Sequence, residues 1–318
     1  MKWYKPDERW EIWDITSKEQ FTEKFVVMGK FHNQVPKDIV DAFETVTYLM
    51  AHAYFYYPIY DEAMNKALLI MEMAIKLKAK KLNIDLKTLP NKKGGVYDKK
   101  LFQIIEEVCE YSHLSFLKPE FLRVKKIRNS RMHPKKHTIM GAMGFTNGNA
   151  MLFINMINKL FLQKKTLLSI AEKEQELRNQ IQRFRDGKFI LHFKNKSILV
   201  WKIHDIKYFK NQEHDFYCIY IGYVNTQLEN EVKNHQTNPL VIILTEFHIY
   251  DEGFKGLDIK GEQVELYKNR DIRNVIHFEN YHNTKKKLSF NDLSFHLRES
   301  ESWVLWRYEE LMYENCWE

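Results

Sequence analysis

Arg128 and His133 are the residues of this chain whose types and spacing fit a chemical step: they bound the run R-N-S-R-M-H, which Pro134 follows. Cleaving RNA without a metal needs a group that moves the proton of the 2′-hydroxyl or of the leaving 5′-oxygen. It also needs a fixed cation to offset charge growing on the phosphorane oxygens. Histidine titrates near neutrality and serves in proton transfer. Arginine stays charged and grips phosphate through two parallel N–H bonds, and electrostatic stabilisation of this kind is often the largest catalytic contribution. The run lies in the most basic stretch of the chain: Lys118–Lys136 holds eight Lys/Arg and one acid, Glu120. Such a patch attracts phosphates, and its bland alternative is a solvated basic helix. Arg131 reads as an added RNA-backbone contact, and Lys125, Lys126, Lys135 and Lys136 either contact phosphate or keep the surface soluble.

Spacing sets a condition. Five residues on a regular helix turn through about 500°, which leaves the Arg128 and His133 side chains about 140° apart. They converge if the turn before Pro134 bends, or if two copies of the motif meet across a dimer. Arginine followed within a few residues by histidine also occurs at Arg131–His137 and Arg270–His277, so the loose pattern has no weight. The strict form, Arg-Asn, three residues, then His, occurs once. The alternative reading is an Arg-Asn pair that caps helix carbonyls, with His133 a surface residue before a proline turn.

The positioning elements are helical from Pro36 onward. Residues 38–56 form a first helix, stopped by Pro58; Asp61 caps a second, in which Met64, Leu68, Met71 and Ile75 recur at the spacing of a buried face. Pro90 to Gly95 reads as a loop, Leu101, Ile105 and Val108 mark a third helix, and Pro119 opens a fourth that ends at His133. A loop over 141–148 leads to one long fifth helix over 149–185. After Gly187 the period changes to that of strands, expected at 189–193, 198–203, 216–224, 241–250 and 263–267, before a last helix at 299–314. Residues 1–36 read as an irregular or short-strand extension that packs on the helices. The expected organisation is thus α+β: an extension (1–36), an all-α bundle (37–187) and a β-rich domain (188–318).

The strict motif with its proline resembles the Arg-polar-xxx-His signature of the HEPN superfamily (higher eukaryotes and prokaryotes nucleotide-binding domains). The segment EAMNKALLIMEMAIKLKAKKLNI resembles the long second helix of the branch in which a helical domain precedes an RN-x-x-x-HP element. The resemblance covers residues 37–170. It implies an all-helical, dimerising domain; many members are ribonucleases that leave 2′,3′-cyclic phosphate ends and act in toxin–antitoxin or antiphage systems, while others only bind. It implies that Arg128 and His133 are catalytic, that Asn129 orients the histidine or the phosphate, and that a cognate antitoxin or regulatory protein restrains the enzyme. Neither a cofactor nor a metal is expected.

Composition sets the remaining bounds. At 318 residues the chain is about twice a typical domain. With 44% hydrophobic and 14% aromatic residues it has ample material for a folded interior. Residues 1–187 carry 32 Lys/Arg against 22 Asp/Glu, and residues 188–318 carry 17 against 20, so the basic character belongs to the helical part. The three cysteines, Cys109, Cys218 and Cys316, fit neither a disulfide framework nor a zinc ribbon, and no stretch has signal-peptide or membrane-spanning character, so a cytoplasmic location is expected. A phosphate-binding P-loop, H-E-x-x-H, C-x-x-C and G-x-S-x-G are absent, which argues against P-loop hydrolysis and zinc chemistry. Asp251, Glu252 and Asp258 read as turn residues, and the β-rich part suits a sensor or partner-binding role. A non-catalytic RNA- or nucleotide-binding module and a protein-interaction scaffold are the rival readings.

Overall fold

The computed structural model describes residues 4–90, 94–132 and 139–317. The fold is α+β, with helices first and an antiparallel six-stranded barrel after them. The chain divides into two compact units, one running to Leu167 and including Trp317, the other covering Leu168–Cys316.

The helical unit starts with a 3-10 turn (Glu8–Trp13) and α1 (Lys18–Phe25), where a strand or irregular segment was expected. Ser17 caps α1 by accepting from Gln20 N at 3.2 Å, and Phe21 and Phe25, one turn apart, bury the same face. Trp10 is buried against Phe21, Phe25, Tyr57 and Tyr60 and donates its indole N–H to Ala53 O at 2.8 Å. α2 (Lys37–His52) and α3 (Ile59–Lys81) follow, then α4 (Leu101–Cys109), α5 (Lys118–Met132) and α6 (Thr146–Phe161). Met64, Leu68, Met71 and Ile75 of α3 are all buried, as the spacing predicts. Asp61, expected to cap α3, instead lies in its first turn, with Pro58 at the cap position.

The long helix expected over 149–185 is two helices. Leu162 leaves helical geometry at φ −58, ψ 151, and α7 (Lys164–Gln180) restarts before a 3-10 turn at Ile181–Phe184. The two halves serve different cores: Phe153, Ile157 and Leu160 are buried in the helical unit, whereas Leu177, Ile181 and Phe184 belong to the barrel's core.

The barrel consists of β1 (Phe189–Phe193), β2 (Lys196–Lys210), β3 (Asp215–Tyr223), β4 (Leu240–Tyr250), β5 (Gly253–Asp258) and β6 (Gln263–Lys268). Each strand pairs with the next, and β1 closes on β6. Lys194 and Asn195, both at positive φ (49° and 56°), form the tight β1–β2 hairpin turn whose twist suits the flanking strands. Alternate residues such as Ile219 and Ile221 of β3, with Leu244, Phe254 and Leu266, fill the interior. The intervening outer residues Cys218 and Tyr220 are buried too, in a unit that also contains α8 (Leu228–Lys233), α9 (Val275–Lys287) and α10 (Phe290–Asn315). The expected final helix thus begins earlier, at Phe290, and β5, α8 and α9 are additions to the sequence reading. Asp251 and Glu252 do form the β4–β5 turn, and Asp258 accepts from Lys260 N and Glu262 N at 2.8 and 2.9 Å in the next one.

Candidate functional site

The last two turns of α5 carry Arg128, Asn129 and Arg131, and α3 supplies the acids that face them. Arg128 Nη2 lies 3.1 Å from Glu72 Oε2, with the two side chains 27% and 15% exposed. Arg128 Nη1 donates to Asn129 Oδ1 at 3.2 Å, so Asn129 orients the guanidinium, while Nε is buried and has no acceptor among the described residues. Glu72 is shared: Lys76, one turn along α3, donates to its Oε1 at 2.6 Å. The sequence gives no hint of Glu72, because its partner on α5 is remote in the chain.

Arg131 is held differently from a surface cation. Its Nη1 donates to Asp61 Oδ1 at 3.2 Å, and the two side chains are only 16% and 12% exposed. The other Asp61 oxygen accepts from Met140 N and Gly141 N, each at 3.0 Å. Gly141 sits at φ +51, and a Cβ there would come within 1.9 Å of the Tyr57 ring. Tyr57 adds a second clamp, its hydroxyl accepting from Ala142 N at 3.0 Å and donating to Met140 O at 3.3 Å. One buried carboxylate and one phenol on or just before α3 therefore fix the described backbone on the C-terminal side of residues 133–138, and Arg131 on the other side.

Of the remaining candidates, Lys126 is exposed and Lys125 places its ammonium 5.2 Å from the Phe102 ring centroid. His133, Lys135 and Lys136 lie outside the described residues. Lys118 and Arg123, from the same basic stretch, pair with Glu106 and Glu120 at 2.5 and 2.8 Å. Among the described residues no group of three His, Cys, Asp or Glu side chains could hold a metal ion. No helix among them is long and apolar enough to cross a membrane, and Cys109, Cys218 and Cys316 are buried free thiols. Chemically, the assembly can offer one oriented, partly shielded guanidinium beside exposed lysine charge, at the helix end that leads into His133.

Comparison of the chain with protein-family models, with curated proteins and with solved structures finds no match.

Proposed function

We propose that the helical unit is a metal-independent endoribonuclease of HEPN type, with Arg128, Asn129 and His133 at its centre. The observation that carries this reading is the fixed guanidinium of Arg128, oriented by Asn129 and Glu72 on the turn that precedes His133. An arginine held in this way meets a phosphorane with little reorganisation, which is the condition for electrostatic stabilisation. His133 moves the proton, in a transesterification that leaves a 2′,3′-cyclic phosphate. α5 is helical through Met132, so the angular separation of Arg128 and His133 is met by a turn at Pro134 or by a homodimer that brings two motifs together. A cytoplasmic enzyme of this kind, working as a toxin or antiphage effector, would be restrained by a cognate partner, and its free thiols suit a reducing compartment.

The pairing of both arginines with carboxylates favours a second reading, a non-catalytic RNA-binding module in which Arg128 is chiefly structural. One experiment separates the two. Single-stranded RNA is incubated with the full chain in excess chelator, and product ends are analysed. The ribonuclease reading expects cyclic-phosphate ends from wild type and none from His133→Ala or Arg128→Ala. Equal inactivity of wild type and His133→Ala, with RNA affinity reduced by Arg128→Ala, establishes the binding module instead.

A further inference from the structure

The barrel unit contains a site that the ribonuclease reading does not use. A cavity lies between the outer wall formed by β2 and β3 and the helices α8, α9 and α10. Strand β2 is irregular there: its pairing with β3 shifts between Val200 and Lys202 and again between Ile203 and Asp205, so Trp201 and His204 are the two unpaired residues. Bulges re-aim side chains, and both of these line the cavity. The His204 ring stacks on Tyr220 at 4.3 Å and 15°, and meets Trp201 edge-on at 5.4 Å. Gly222 leaves room for it, since a Cβ there would stand 2.7 Å from His204 Nε2.

Charge and hydrogen bonding in the cavity are divided by side. On one side is the lining residue Lys285; it and Lys202, the chain neighbour of the lining residue Trp201, place their ammonium groups 4.7 and 4.6 Å from the Trp201 ring centroid. No ion pair to either lysine occurs among the described residues; Asp186 and Glu301 bear on Lys202 only through their field. Burial, with Lys202 disfavoured further by Lys285, holds both below the ordinary lysine range. Two half-buried cations that lack an ion-pair partner among the described residues are a cost that an anionic ligand relieves. On the other side is Glu231, buried, its two oxygens held by Asn225 and Asn238 amides at 2.8 Å each. His296, more than nine-tenths buried, lines the same cavity with Nδ1 unpartnered among the described residues.

The cavity holds about 60 Å³. At roughly 10–15 Å³ per water that is space for about four to six waters, or about 120–180 Å³ of liquid. One heterocyclic ring system fits such a space, with a charged substituent reaching the half-exposed lysines.

We propose that this cavity binds a nucleotide, its base enclosed by the aromatic wall and facing Glu231, its phosphate on Lys202 and Lys285. A carboxylate accepts best from two adjacent N–H donors, so a guanine base is favoured. The ligand is either a free mononucleotide or a single unpaired nucleotide of an RNA.

The test uses the full chain and titration calorimetry with GMP, AMP, CMP, UMP, inorganic phosphate and an uncleavable 2′-O-methyl RNA. GMP is expected to bind most tightly, with Lys202→Gln and Lys285→Gln each weakening it tenfold or more and Lys255→Gln, a barrel lysine outside the cavity, leaving it unchanged. Glu231→Gln is expected to remove the preference for GMP. Binding of the RNA alone, with the same sensitivity to Lys202 and Lys285, would support the site and identify RNA as its source. No binding of any nucleotide or RNA at millimolar concentration, binding insensitive to both lysines, or phosphate alone binding as tightly as GMP would each overturn the proposal.

Discussion

His204 permits a quantitative test of how the barrel unit responds to acid. Burial, followed by the nearby charges of Lys202 on its own strand and Lys285 on α9, holds its pKa down to about 3, from an ordinary value of 6.5. Tyr220 and Trp201, its other ring neighbours, carry no positive charge. The folded state therefore keeps the imidazole neutral at pH values where the unfolded chain protonates it. Since the unfolded state binds more protons, stability falls as pH drops from 6.5 towards about 3. At pH 5 the loss relative to neutral pH is about 2 kcal/mol, a figure set by the unfolded pKa as long as the folded value lies well below 5. His204→Phe retains a ring on Tyr220 without a titrating nitrogen. Denaturant unfolding of wild type and His204→Phe between pH 7 and pH 5 should show wild type losing about 2 kcal/mol more than the variant, a difference that cancels groups common to both. Parallel pH profiles would refute the reasoning, as would a His204 ring proton that titrates near 6.5 by NMR in the folded chain.

Gly141→Ala combines a positive φ with a clash against Tyr57, and should lower the stability of the helical unit by at least about 1–3 kcal/mol, measured by chemical denaturation. Glu72→Gln removes the carboxylate charge from Arg128 and should strengthen RNA binding while steepening its salt dependence by about one phosphate contact; unchanged affinity and slope would show that the Arg128 charge is not available to RNA. Gly222→Ala should displace the His204 ring from Tyr220, restoring a near-normal His204 titration by NMR and weakening GMP binding in calorimetry.

Legibility of the fold followed the strength of local periodicity. α3 could be read because Met64, Leu68, Met71 and Ile75 repeat at helical spacing, and β3 because it is rich in aromatic and β-branched residues, Phe216, Tyr217, Ile219, Tyr220, Ile221 and Tyr223. β5 was hidden by glycines that the barrel requires: a Cβ at Gly253 would lie 1.8 Å from Leu266 O and one at Gly256 2.3 Å from Glu246 O, yet glycine in a short run reads as a turn. The break at Leu162 contains neither glycine nor proline, so nothing local announces it. α9 is largely polar on most of its surface and buries only Phe278, which leaves little apolar period to detect. In the candidate site, Arg128, Asn129 and Arg131 were found by type, but their partners Glu72 and Asp61 could not be, because no pattern links residues 70 positions apart as Asp61 and Arg131 are. The β2 bulges escaped for the same reason, since register is set by the partner strand and not by β2 itself.

The two arginines of the motif have different physical roles, and this bears on how the proposed site is assembled. Arg128 is the more exposed of the two, at 27% against 16%, so a phosphate oxygen can compete with Glu72 for it. Arg131 is more fully enclosed, and its carboxylate also accepts two backbone N–H groups from Met140 and Gly141. Asp61 therefore ties together the described residues on both sides of the segment that contains His133, which makes it a positioning residue for that segment and not a contact for RNA. Removing it leaves a nearly buried arginine and two backbone donors uncompensated, at a cost of about 3–5 kcal/mol for breaking such a pair. Asp61→Asn retains an acceptor for part of this set while losing the charge. If Asp61 acts through position, Asp61→Asn should lower the rate of RNA cleavage by at least tenfold with RNA affinity unchanged. A gain in RNA affinity would instead show that the charge on Arg131, freed from Asp61, contributes to RNA binding directly.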